Sequence, residues 1–168
     1  MTTPKSLKAR FPYQFEGKNI GISTARGWFP IFEKLCADID LLLGEDKRSF
    51  HWTQVKEKWG SGRAYFAVDK ADGPLYVDFQ GPEGVISFVS ETSGNQRDAT
   101  TSELMKAIGS LVNAAMDKTC ETCAVCGAPG MIDQTDGFLL VLCPEHIAQR
   151  KKDSATMDSA WFGYDEWL

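Results

Sequence analysis

The chain of 168 residues has only two histidines, His51 and His146, and that scarcity bounds its chemistry. No His-x-Glu is paired with a Pro-Cys-x-x-Cys, so the zinc deaminase signature is missing. Neither a phosphate-binding glycine loop nor a Gly-x-Ser-x-Gly elbow occurs, which removes the commonest nucleotide-binding and serine-hydrolase readings. No apolar run approaches the roughly 20 residues that cross a bilayer. Lys5, Lys8 and Arg10 near the N-terminus have no apolar stretch behind them, so a secretory signal is not expected. An excess of basic residues is also lacking: 18 Lys and Arg face 23 Asp and Glu, a net charge of −5. That argues against nucleic acid or an anionic membrane as the main partner and suits a basic one. Internal repeats and low-complexity tracts are absent.

What is present is concentrated near the C-terminus. Four of the five cysteines, Cys120, Cys123, Cys126 and Cys143, fall within one short region. Cys123 and Cys126 are two residues apart and Gly127 follows; Cys143 and His146 repeat the spacing. Sixteen residues, including Gly130 and Gly137, separate the two pairs. Two such pairs on a short connection are what one tetrahedral zinc ion needs from a chain. Cys120-x-x-Cys123 has the same spacing, so Cys120 is an alternative ligand. Four protein ligands leave no position for water, which makes the expected Zn2+ structural. Three thiolates, an imidazole and a divalent ion give the site a charge of about −1. An odd cysteine number without a signal favours metal over disulfides and places the protein in a reducing, cytoplasmic compartment.

Elsewhere the patterns are those of one ordinary α+β domain, a size that buries roughly 70% of its unfolded surface. Phe11, Tyr13 and Phe15 alternate and suit a short strand or extended arm. Residues 19–27 read as a loop. Trp28, Phe29, Ile31, Phe32, Leu35, Cys36, Ile39, Leu42 and Leu43 recur at helical steps, with Pro30 in the first turn and Gly44 as a stop. Trp28 and Phe32 are core anchors there, and Cys36 is a small buried residue rather than a nucleophile. Residues 50–60 suit a strand or a short helix, the strand being preferred with its end at Gly60–Gly62, followed by strands at 63–69, 75–79 and 85–91 with turn clusters between the last three; an antiparallel meander is the economical reading. Thr100-x-x-Glu103 has the form of a capping box opening a second helix, with Leu104, Ile108, Leu111, Val112 and Ala115 along its stripe. A short strand at 138–142 returns to Cys143, and 150–152 form a small basic patch.

The expected architecture is an antiparallel sheet packed by two main helices, with a zinc-ribbon-like subregion. Residues 1–118 form the body, 119–152 the ribbon, and 153–168 an acidic, aromatic tail. The tail carries Trp161, Phe162, Tyr164, Asp165, Glu166 and Trp167, aromatics that suit anchors and acids that suit steering charges. These are the candidate partner-binding residues.

Three blocks together resemble a family of uncharacterised small bacterial and phage proteins. They are Gly27-Trp28-Phe29-Pro30-Ile31 leading to Leu35-Cys36-Ala37-Asp38-Ile39, Gln54-Val55-Lys56-Glu57-Lys58-Trp59-Gly60 with Arg63-x-Tyr65-Phe66, and Thr122-Cys123-x-x-Cys126-Gly127-x-Pro129-Gly130 with Leu142-Cys143. Trp59 stands where Phe is common, and His146 where a fourth Cys or a His occurs. The segment around 70–95 and the tail depart from the pattern. The resemblance implies a compact α+β body, a zinc ribbon and a bacterial or phage setting, and it carries no activity.

The function expected is non-enzymatic protein binding around a structural zinc: an immunity protein neutralising a basic toxin, or a phage inhibitor of a host protein. One alternative is a nucleic-acid-binding zinc-ribbon accessory protein using 150–152. The other is an enzyme with a site around His51 and either Glu57 or Glu103.

Overall fold

The structure, a computed structural model, describes residues 2–17, 21–68, 76–81, 84–89 and 99–152. It is an α+β fold: a three-stranded mixed sheet, two two-stranded sheets and four α-helices among the described residues.

The N-terminal segment is helical rather than extended. Helix α1 (Pro4–Arg10) begins with Pro4 in its first turn and a Thr3–Ser6 capping box. A 3-10 turn, Pro12–Phe15, follows. Phe11 is buried and Tyr13 and Phe15 pack against the core, but a 3-10 turn and not an extended strand presents them, and that turn also buries the polar Gln14. Its amide donates to the Cys36 carbonyl at 2.9 Å and accepts from Trp52 Nε1 at 3.2 Å. Those partners make its burial tolerable.

The segment expected to be a loop contains strand β1 (Gly21–Ser23), parallel to β2 (His51–Lys58). Strand β3 (Ser61–Ala67) lies antiparallel on the other side of β2. The expected single meander is therefore divided: among the described residues, β4 (Tyr76–Gly81) and β5 (Gly84–Val89) pair with each other and with no other strand. A bulge between Trp52 and Gln54 shifts the register of β2. It lets both Trp52 and Val55 face inward although their separation is odd. The β2–β3 turn is Trp59-Gly60, with φ of +54° and +77°. Positive φ at both central residues is a preference of Asn-Gly, so a tryptophan there is strained by about 1 kcal/mol or more.

Helix α2 (Phe29–Leu43) buries Phe29, Phe32, Leu35, Cys36, Ile39 and Leu43 and stops at Gly44, whose φ is +62°. Leu42, placed on this stripe by its spacing, is exposed instead. Helix α3 (Ala99–Thr119) includes Thr100 and Glu103 in its first described turn. Its Ile108, Val112, Ala115 and Met116 close the main core over α2 and the sheet. The centre of that core is aromatic, with Trp52 5.2 Å from Phe32 and 5.1 Å from Phe50 between ring centroids.

Trp28 leaves the helix stripe. It ends the 3-10 turn Arg26–Trp28 and enters a second, smaller core with Ala25, Cys123, Ala124, Leu140, Leu142 and Cys143. Ile31 packs against both cores and joins them. The 119–152 region is thus seated on the start of α2.

Candidate metal centre

Helix α3 delivers the chain to the knuckle. Thr119 is buried at its end, and its hydroxyl accepts the Gly62 N–H at 2.7 Å, tying the helix to β3. The chain then turns and folds back on itself, with a bridge between Thr122 and Pro129. Within the turn the Cys123 N–H donates to the Ala128 carbonyl at 2.7 Å and the Gly127 N–H to the Cys123 carbonyl at 2.9 Å. Gly127 has φ +77°, which a side chain would resist. Strands β6 (Met131–Asp133) and β7 (Leu140–Leu142) form the ribbon, and the Ala124 N–H donates to the Val141 carbonyl at 2.8 Å. The expected strand at 138–142 is thus shorter, with Phe138 exposed before it. Cys143 follows β7 directly, and helix α4 (Pro144–Lys152) carries His146 in its first turn.

These elements gather Cys123, Cys126, Cys143 and His146 so that their ligand atoms all lie within 4.8 Å of one another. Cys126 Sγ is 3.8 Å from Cys143 Sγ, and Cys123 Sγ is 3.6 Å from His146 Nδ1. A tetrahedral ion with bonds of about 2.3 Å to sulfur and about 2.0 Å to nitrogen sets those edges near ~3.8 and ~3.5 Å. The Cys143 Sγ to His146 Nδ1 separation, 3.0 Å, is shorter than that edge. A sulfur pair at 3.8 Å is far outside a disulfide bond of about 2.05 Å. The donor set therefore fits a metal ion.

The electrostatics of the cluster point the same way. Burial pushes the Cys123 thiol up, but the backbone N–H groups of Cys126, Cys143 and Val125 outweigh it and bring its pKa below the ordinary value. Cys126 is pushed up to about 11 by desolvation, opposed by the Ala128 N–H and reinforced by the nearby Cys123 and Cys143 sulfurs. Crowded thiolates repel, and a cation at their centre removes the conflict.

Cys120 does not join the cluster. It is exposed, and its Sγ lies 3.8 Å from the Met116 carbonyl of the preceding turn. Cys36 sits in the main core, where burial pushes its thiol up to about 12.

The basic patch at 150–152 is divided by the fold. Arg150 is fully buried and pairs with Asp133 Oδ2 at 2.7 Å. Its guanidinium also donates to the Thr135 and Phe138 carbonyls. Only Lys151 and Lys152 of the three remain exposed. Nothing local in the sequence marks Arg150 as a clasp, because its partners lie 12 to 17 residues away.

At His51, Nδ1 is 3.1 Å from the Ser49 carbonyl. Glu57 lies at the far end of the same strand, roughly 20 Å away. Its carboxylate accepts the Gly60 N–H at 2.8 Å in the hairpin turn, and burial raises its pKa. His51 and Glu57 are not brought together. The candidate partner-binding residues Trp161, Phe162, Tyr164, Asp165, Glu166 and Trp167 lie outside the described residues.

The attachment of the knuckle to the body went unforeseen. Gly27 donates to the Ala124 carbonyl at 2.8 Å, and Trp28 Nε1 donates to the Thr122 carbonyl at 2.8 Å. A Cβ on Gly27 would lie 2.1 Å from the Cys123 carbonyl oxygen and 2.6 Å from the Gly127 nitrogen. The only sequence signal was the Gly-Trp pair itself.

The fold and this site define an α+β protein whose Cys3His group can hold a metal ion. No family model matches the chain, and neither a curated protein nor a solved structure matches it. Among the described residues no helix is long and apolar enough to cross a membrane.

Proposed function

We propose that this is a non-enzymatic protein-binding protein whose C-terminal region is organised by one structural zinc ion. Cys123, Cys126, Cys143 and His146 hold the ion, and the remainder of the fold presents binding surfaces. The observation that carries the reading is the donor set: four protein side chains whose ligand atoms lie within 4.8 Å of one another fill a four-coordinate site and leave no position for a substrate or an activated water. Three sulfurs and one imidazole favour zinc over harder divalent ions.

The partner we propose is a basic protein, either a toxin that this chain neutralises as an immunity protein or a host protein that it inhibits in a phage setting. The net charge of −5 and the four acids among residues 153–168 support it. So does the burial of Arg150, which leaves the ribbon little cationic surface for phosphate. A cytoplasmic, reducing location keeps the three thiols available to the metal.

Two measurements test this. Elemental analysis of the purified chain is expected to give one zinc per chain. Titration against basic candidate proteins, with native mass spectrometry, is expected to give a complex of fixed stoichiometry. Zinc content near zero, or a reproducible turnover activity with no stable protein complex, would overturn the proposal.

A further inference from the structure

The ribbon and the β2–β3 turn leave large apolar side chains in water. Trp59 is 64% exposed, Phe138 62%, Ile132 61% and Met131 60%. They are neighbours through the backbone: Gly60 lies against Leu139 and Leu140, with 3.6 Å between its Cβ position and their carbonyl atoms. That places Trp59 and Phe138, one residue to either side, within roughly 15 Å at the Cα atoms. Met131 and Ile132 alternate across β6, so either face of the ribbon gains a third large side chain. Trp59 is held out in a left-handed conformation that a tryptophan resists. Strain spent on exposing an aromatic ring points to a use for that ring.

The occupant is indicated by where the described chain ends. Arg150 Nη2 donates to the Phe138 carbonyl at 2.9 Å, and α4 ends two residues later at Lys152. The described chain therefore stops at Lys152, two residues past this contact with the ribbon. Nine residues from Lys152 to Trp161 reach up to about 30 Å, ample for the patch. The segment brings Trp161, Phe162, Tyr164, Trp167 and Leu168, with four acids and no basic residue. The surface offers the complementary charge: Lys58 Nζ sits 4.4 Å from the Trp59 ring centroid, and Lys151 and Lys152 are exposed at the end of α4.

We propose that residues 161–168 dock on the patch formed by Trp59, Phe138 and the β6 edge of their own chain. Tethering makes this an intramolecular association at an effective concentration in the millimolar range. The docked segment covers the apolar surface, and a basic partner that binds the segment has to draw it off. The release step rests on the partner reading above; the docking does not.

The test uses the full zinc-loaded chain. A photoreactive benzoylphenylalanine replaces Trp59, and isotope-labelled and unlabelled chains are mixed before irradiation. The expected product is a cross-link from position 59 to residues 159–168 within one chain. In parallel, Trp59→Gly, which relieves the turn strain and keeps the fold, is expected to lower hydrogen-exchange protection of residues 161–168 by at least about tenfold. Residues 120–150 are expected to keep theirs. Phe138→Ser is a second variant with the same expectation. Cross-links between labelled and unlabelled chains would overturn the proposal in favour of a second copy as occupant. An absence of cross-links to the segment, or unchanged protection in both variants, would overturn it outright.

Discussion

Replacing Gly27 with alanine adds one methyl group, and the structure makes its consequence large. The new Cβ would meet the Cys123 carbonyl oxygen at 2.1 Å, the Gly127 nitrogen at 2.6 Å and the Ala124 carbonyl carbon at 2.9 Å. All three are backbone atoms, so no side chain can swing away. Relief requires the turn before α2 and the knuckle to separate by about 1 Å. That separation breaks the Gly27–Ala124 hydrogen bond, a loss of about 1 kcal/mol. It also draws the Trp28 indole from the Thr122 carbonyl, and an orphaned buried donor costs about 1–3 kcal/mol. The expected destabilisation is about 3 kcal/mol, a sizeable part of a total of about 5–15. Urea unfolding of the zinc-loaded chain measures it. Gly109→Ala is the control: Gly109 lies within α3 with no atom within 4 Å of its Cβ position. It is expected to gain about 0.5–1 kcal/mol from helix propensity. A Gly27→Ala protein within 0.5 kcal/mol of the parent would refute the claim that the knuckle is seated on the start of α2.

Cys126→Ser is expected to lower zinc well below one per chain and to loosen residues 120–150 first, read by elemental analysis and hydrogen exchange; full zinc retention would mean the ligands are misassigned. Arg150→Met leaves the buried Asp133 carboxylate without its cation and is expected to destabilise the fold by about 3 kcal/mol or more, with Asp133→Asn/Arg150→Met recovering part of it in denaturant unfolding. Trp59→Asn replaces a strained residue with one that favours positive φ and is expected to raise the urea midpoint by an amount equivalent to about 1 kcal/mol, less whatever burial the ring contributes. Cys36 is held protonated up to about 12, above its unfolded value, so its contribution is fully present below about pH 9 and is lost as pH rises toward 12. Stability measured over that window is expected to fall less steeply in Cys36→Ala than in the parent.

The amino-acid sequence by itself determined the features that depend on short spacing. The Cys-x-x-Cys-Gly and Cys-x-x-His pairs named the four residues of the metal cluster, because ligand spacing within a turn is set by local geometry. Helix α2 was legible because a buried stripe repeats every three to four residues, and Gly44 marks its end. Strands β3 to β5 were legible as strand-like runs separated by turn clusters, whereas β2, whose alternation a bulge interrupts, fitted a strand or a short helix; their grouping was not legible, because a run of strands does not say which edges meet.

Only the tertiary structure decided the rest. Gln14 is buried because the Cys36 carbonyl and the Trp52 indole, distant in sequence, satisfy its amide. Residues 21–23 become a strand because β2 offers them an edge, which three residues cannot announce alone. Arg150 changes from a surface cation to a buried clasp because Asp133 and the Thr135 and Phe138 carbonyls converge on it. The four residues of the Cys3His group could be named without a fold; the place where their knuckle rests could not. It follows from a glycine with no Cβ, from an indole N–H within reach of one carbonyl, and from the small core they close together.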